Sequence, residues 1–187
     1  MVLKASDLPA GWKGTAYKAD PTDAATQATL LRCVGARNTD SDKVAEAHSQ
    51  DFALGNANIS SSATSYRSQS DLDTDIATLH NPKLSTCYDQ LFTTQLAKSL
   101  PGGAKIASAA VKIAPGSAGG PDNVLATGTG TIDVIVKGQH VPIYVTVAFI
   151  VGPLIQAEVD TENIGSPVPV QIVSSLVNTV ANRAAKG

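Results

Sequence analysis

Helical patterns early in the chain, a run of strands through its middle and one more helix at its end predict an α+β fold, an antiparallel sheet covered by helices. Three stretches carry that prediction. In "SDLDTDIATLHNPKLSTCYDQLFTTQLAKSL" (70–100) apolar residues recur at helical spacing. From 124 to 164, alternating or wholly apolar runs are separated by tight-turn signals. From 166 to 186 the helical spacing returns.

In chain order, "GWKGTAYKA" (11–19) reads as a short edge strand after the turn-rich "DLPAG". "DPTDAATQATLLRCVGA" (20–36) reads as a helix capped by Thr22 or Asp23, with Leu30, Leu31 and Val34 as its apolar patch and Gly35 as its stop. "NTDSDK" is loop, and 51–68 is extended, with Ile59, Ser61, Ala63 and Ser65 alternating against Ser60, Ser62, Thr64 and Tyr66. Leu72, Ile76 and Leu79 then mark a helix that breaks at Asn81-Pro82. A second helix starts there with Pro82 in its first turn. Leu84, Tyr88, Leu91 and Gln95 follow one side of it, Phe92, Leu96 and Leu100 widen the stripe, and "PGG" (101–103) ends it.

The sheet continues with "AKIASAAVKIA" (104–114), and "PGSAGGPDN" (115–123) is a loop. "VLATGTGTIDVIV" sets Ile132, Val134 and Val136 on one face; "KGQ" signals a hairpin into "HVPIYVTVAFIV", and "GP" turns into "LIQAEVDTEN". In the last helix Val170, Val173, Val177 and Val180 share a face. No internal repeat or boundary divides the chain, so residues 1–187 read as one domain.

Composition narrows the function classes. Hydrophobic residues make up 43% and charged residues 16%, a balance that excludes disorder. A net charge of −2 and an aromatic content of 4% offer neither the basic patch nor the row of stacking rings that nucleic acid requires. "MVLKASDLPAGW" has no apolar stretch of signal-peptide length. The longest apolar run, "VPIYVTVAFIVGPLI" (141–155), is too short to span a bilayer as a helix, is broken by Gly-Pro and is rich in β-branched residues, so it reads as a buried strand.

The chain has two cysteines, each inside an expected helix. If both helices pack on one sheet, Cys33 and Cys87 meet in a disulfide, the minimal framework of an exported chain. The competing reading is two separate buried thiols. Neither cysteine has a CxxC partner or a histidine at ligand spacing, and "LLRCV" and "STCYDQL" are not electropositive, so metal and catalytic roles are not expected.

The order "DLPAGW", "RCVGA", the extended "ISSSATSYRS", "HNPKLSTCYDQL", "VPIYVTVAFIVG" and a last helix ending in "NRAA" resembles exported actinobacterial envelope domains. Among these are the extracellular sensor domain of a mycobacterial serine/threonine kinase, envelope lipoproteins and a membrane-anchored factor supporting trehalose monomycolate transport. The resemblance implies a PsbP-like fold, a twisted antiparallel sheet flanked by helices. It also implies an extracytoplasmic location, tethering to the cell membrane by a segment outside this sequence, and no catalysis. The kinase sensor domains carry a second disulfide, for which this chain has no cysteines.

Other motifs read as structure. His48, His80 and His140 are scattered, with no spacing that brings them together as metal ligands. Asp71, Asp73 and Asp75 open like a calcium loop, but position six is not glycine and position twelve is Pro82; Ser70 or Asp71 as a helix cap accounts for the run. "SSSATS" lacks a GxSxG elbow, "PGGAK" and "PGSAGG" lack the phosphate-loop pattern, and "NIS" (58–60) is a formal glycosylation sequon.

A binding surface remains. Small residues at 59–65, 104–114 and in "ATGTGT" leave space above a sheet, and Leu91, Leu96, Val173 and Val177 on facing helices would line a groove there. The alternative is tight helix-on-sheet packing through the same small residues. Together with the resemblance to envelope domains, this gives the expectation of a non-enzymatic extracytoplasmic binding or adaptor domain without cofactor or metal. By that resemblance its expected partner is an envelope membrane protein or lipid, in mycolate-lipid transport through contact with a membrane transporter. A small-molecule sensor and, more remotely, a serine hydrolase are the other readings.

Overall fold

A computed structural model of the chain describes residues 1–96, 100, 104–116 and 120–187, with 95 and 96 described in their backbone alone. It contains an eight-stranded antiparallel sheet, and the described residues form four α-helices around it. The strands are β1 (Lys13–Thr15), β2 (Lys43–His48), β3 (Asp51–Leu54), β4 (Ala57–Tyr66), β5 (Lys105–Pro115), β6 (Val124–Val136), β7 (Gln139–Gly152) and β8 (Ile155–Ile164). The helices are α1 (Asp23–Val34), α2 (Gln69–Ala77), α3 (Leu84–Leu91) and α4 (Val170–Ala184). Spatial order is β1-β3-β4-β8-β7-β6-β5, with β2 paired to the far half of β4. The α+β class and the antiparallel sheet are as the sequence predicts.

Two local expectations are corrected. Residues 51–68 are not one extended segment but the hairpin β3–β4, turned at Gly55, whose φ of 61° suits a residue without Cβ. β2 has no counterpart in the sequence reading; four of its six residues are exposed, so no apolar alternation announces it. β2 and β3 form a continuous border along β4, bent at Ser49. There the Ser49 N–H donates to the Ser61 carbonyl (2.8 Å), the Ser61 N–H donates to Ser49 Oγ (2.9 Å), and Ser61 Oγ accepts the Leu3 N–H (2.8 Å). The serines of "SSSATS" thus include a buried hydrogen-bonding pivot.

The helix ends follow their capping chemistry. α1 stops at Gly35 (φ 75°), and the Ala36 N–H returns to the Leu31 carbonyl at 2.9 Å. α2 is capped by Ser68, whose Oγ accepts the Asp71 N–H at 3.2 Å, rather than by Ser70 or Asp71. Lys137 and Gly138, both with positive φ, form the two-residue β6–β7 hairpin that "KGQ" predicts. The expected helix end at 101–103 and part of the 115–123 loop lie outside the described residues.

The sheet has two different faces. On one, Phe52, Ile59, Ala148, Ile150 and Val159 pack beneath α4 through Leu176, Val177, Val180 and Ala184, and Leu3 and Leu8 close the margin. Val170 is 67% exposed, so it departs from the expected four-valine stripe and Leu176 takes its place. Arg183 of α4 grips Asp7 with two hydrogen bonds, 2.7 and 2.8 Å, and donates to the Val2 carbonyl at 3.0 Å, joining the two ends of the chain.

On the other face lie α1 and α3. Val34, Leu84 and Cys87 form a small core there with Leu30, Leu79, Tyr88 and Ile113. Cys33 and Cys87 are joined in a disulfide, with their Cα atoms 5.8 Å apart. Asn81 reinforces the joint by donating to the Val34 carbonyl at 2.9 Å. No helix among the described residues is long and apolar enough to cross a membrane.

Candidate functional site

Strand register determines what the α1–α3 face presents. Alternate residues of a strand share a face, and Ile155, Ala157 and Val159 are buried toward α4, so Gln156, Glu158, Asp160 and Glu162 point the other way. One row across the sheet runs Ser60, Asp160, Val147, Gly128, Ile113. The next runs Asn58, Glu162, Val145, Gly130, Val111. Serines and glycines give these rows little height.

α3 cannot sink into the low ground, because it is held at the sheet's border. The Val111 N–H donates to Asp89 Oδ1 (2.6 Å) and the Ile113 N–H to Ser85 Oγ (3.2 Å). These fasten α3 over the free edge of β5, and the disulfide fastens its other side to α1. Between α3 and the sheet lies a cavity of about 540 Å³, the size of a small-ligand site. Its apolar walls include Tyr88, Phe92, Val145, Val147 and Phe149, and Asp51, Glu158, Asp160 and Glu162 line it as well. A neighbouring cavity of about 420 Å³ continues under α1 and shares Tyr88, Phe149 and Glu158 with the first.

The groove expected from small residues is therefore present, on the face away from α4. Val177 belongs to the solid core and Val173 packs against it, so neither lines the groove. Leu91 borders the second cavity, and the side chain of Leu96 lies outside the described residues. Tight packing holds on one face and open space on the other.

Electrostatics set this groove apart. Glu158 and Asp160 are crowded by protein yet remain partly open to the groove. Burial holds the Glu158 carboxyl above its ordinary range, and burial together with the Glu158 charge pushes Asp160 up to about 8. Tyr88 is likewise raised, by burial and then by these two carboxylates, and so is a neutral hydrogen-bonding group at any ordinary pH. Among the described residues Glu158 accepts one hydrogen bond, from Gln156 Nε2 at 3.1 Å.

The histidines lie elsewhere. His48 on β2 stacks on Tyr17 with ring centroids 3.8 Å apart, His140 Nδ1 meets Asp133 Oδ2 at 2.5 Å, and His80 ends a 3₁₀ turn. Of the aspartates in α2, Asp71 receives the Ser68 hydroxyl, Asp73 is bonded by Gln69, and Asp75 accepts from Tyr66 (2.6 Å) and Thr39 (2.5 Å). Asn58 of the sequon is exposed beside the groove. The carboxylates of β8 are what the sequence reading missed. Their signal was the strict alternation of "IQAEVDTE", which by itself reads as a strand with one wet face. No protein-family model matches the chain, and no curated protein matches it.

Proposed function

We propose that this chain is a non-enzymatic, extracytoplasmic binding domain whose ligand lies in the groove between the sheet and α3. The single observation that carries this reading is the cavity of about 540 Å³ with apolar walls and a few grouped polar side chains. The disulfide supports an oxidising compartment. The proposed setting is the actinobacterial envelope, and kinship with the PsbP-like domains named above is part of the same proposal. In that setting the domain holds a small amphiphile itself, for sensing or for lipid transport, in contact with a membrane protein. A cavity with apolar walls and carboxylates in its lining suits that role better than a bare docking surface does.

Binding of the neutral fluorophore N-phenyl-1-naphthylamine tests the reading. The wild-type protein is expected to enhance its fluorescence saturably. Val147→Trp, which puts an indole into the cavity, is expected to weaken binding at least about tenfold while keeping the circular dichroism spectrum and a cooperative melt. A wild-type protein that leaves the probe dark up to its solubility limit, or a folded Val147→Trp variant that binds as well, overturns it.

A further inference from the structure

Resting on the groove as a binding site, we propose that its ligand is an amphiphilic organic cation, with an ammonium-type head against the β8 carboxylates and an apolar body under α3. The first observation is charge. Asp51, Glu158, Asp160 and Glu162 line the larger cavity, and no Lys, Arg or His is among its described lining residues. Of the acids elsewhere, Asp7 pairs with Arg183, Asp40 with Lys43, Asp42 with Arg37 and Asp133 with His140, and Asp71, Asp73, Asp75 and Asp89 take hydrogen bonds from neighbouring donors. The acids lacking a basic partner at contact distance include the ones that face this empty space.

The second observation is a shortage of donors. The amide oxygen of Gln156 is enclosed in the adjoining cavity under α1 with no hydrogen-bond partner among the described residues, while its nitrogen is committed to Glu158, which lines both cavities. Asp160 receives no hydrogen bond from a described residue. Acceptors left bare under a helix are costly unless something brings protons to them. A ligand that donates and carries positive charge answers both deficits.

The third observation separates an organic cation from a metal ion. Glu158, Asp160 and Glu162 are strung along one strand, with a rise of about 7 Å from each to the next. Among the described residues no three carboxylate, imidazole or thiol groups converge as ligands of one ion. A spread row of carboxylates suits an organic cation better than a metal ion. Tyr88 and Phe92 on the helix side and Phe149 on the sheet side also line the cavity, and organic cations are drawn to aromatic rings.

The test compares ten-carbon amphiphiles below their micelle concentrations as displacers of N-phenyl-1-naphthylamine: decylammonium, which carries both charge and N–H donors, decyl glucoside and decyl sulfate. At pH 8 and low salt, decylammonium is expected to bind about tenfold more tightly than decyl glucoside, and decyl sulfate least. Glu158→Gln with Asp160→Asn is expected to erase that preference, each displacer being scaled to the variant's own affinity for the fluorophore. The preference is also expected to grow from pH 5 to pH 8 in the wild type and to stay flat in the double variant. Those two sites are thereby separated from the other charged or titratable groups that face them: Glu162, Asp51, Tyr66, Tyr88, Lys43, Glu46 and Asp75. Glucoside binding as tightly as the cation, or an unchanged preference in the double variant, overturns the proposal and leaves the groove reading standing, since the fluorophore still binds. A wild-type protein that takes up no fluorophore removes both.

Discussion

Asp89 Oδ1 accepts the backbone N–H of Val111 at 2.6 Å, so a helix side chain occupies the hydrogen-bonding edge of the outermost strand. The inward N–H groups of β5 serve its ladder with β6, and those of Val111 and Ile113 face outward. An open edge of this kind is a template for another strand. The same bond sets the height of α3 and hence of the groove. Asp89→Ala is expected to lower stability by about 1–2 kcal/mol and to promote self-association, whereas Asp89→Asn keeps an acceptor and changes little. Denaturant melts and size-exclusion profiles read both effects; equal behaviour of the two variants would count against the capping role.

The Cys33–Cys87 bond closes a loop with a sequence separation of 54, for which chain-entropy arguments give about 4 kcal/mol of stabilisation. The α1–α3 core it joins is small, so the loss is expected to fall mostly on these helices and not on the α4 side. Hydrogen exchange of a Cys33→Ala, Cys87→Ala protein should show α1 and α3 opening while β4, β8 and α4 stay protected. Uniform loosening of both faces would show that the bond serves the whole fold.

The path from sequence to fold was open where local chemistry and global need agree. Gly35, the Lys137-Gly138 turn and the helical spacing of Leu84, Tyr88 and Leu91 each specify their element without help from elsewhere. β2 was hidden because an edge strand with Glu46 and Lys43 on it has no buried face to alternate. The acids of β8 were hidden for a different reason: alternation shows which residues share a face but not what covers it. α3, pinned by Asp89 and Cys87, and α1 beside it turn that face from a solvated surface into a groove wall. Val173 and Val177 were assigned to the wrong side of the sheet because helix periodicity does not say which face a helix will cover.

Asp160 gives a pH signature. Its carboxyl titrates near 3.9 in an unfolded chain and is pushed up to about 8 in the fold, chiefly by burial and then by the Glu158 charge. Below about pH 4 both states hold the proton and there is no penalty. Between about pH 4 and 8 the unfolded chain sheds it and the folded chain keeps it, so stability falls by up to ~1.4 kcal/mol per pH unit. Above that window the loss is complete. Asp160→Asn never ionises, so its advantage over the wild type is expected to be small at pH 4.5 and to widen by pH 8. Melting temperatures at the two pH values test this; a gap that does not change with pH would mean that Asp160 titrates normally.

Gly152 brings the end of β7 close against the end of α4. A Cβ placed on it would collide with the carbonyl oxygen of Ala184 and crowd that residue's carbonyl carbon and Cα, all of them backbone. A flexible side chain could swing away; a helix terminus cannot. The helix is anchored on the same side by Asn123, whose amide donates to the carbonyls of Val151 (2.9 Å) and Ala181 (3.0 Å), and by Arg183 on Asp7. Relief therefore requires α4 to shift as a body, dragging Val180 and Ala184, both fully buried, out of their packing. Gly152→Ala is expected to cost about 1–3 kcal/mol, as overpacking does, and a shift in the denaturant midpoint without a change in slope would show it. The groove lies on the opposite face, so fluorophore affinity in the folded Gly152→Ala protein should match the wild type; a matching loss of binding would mean that the two faces move together.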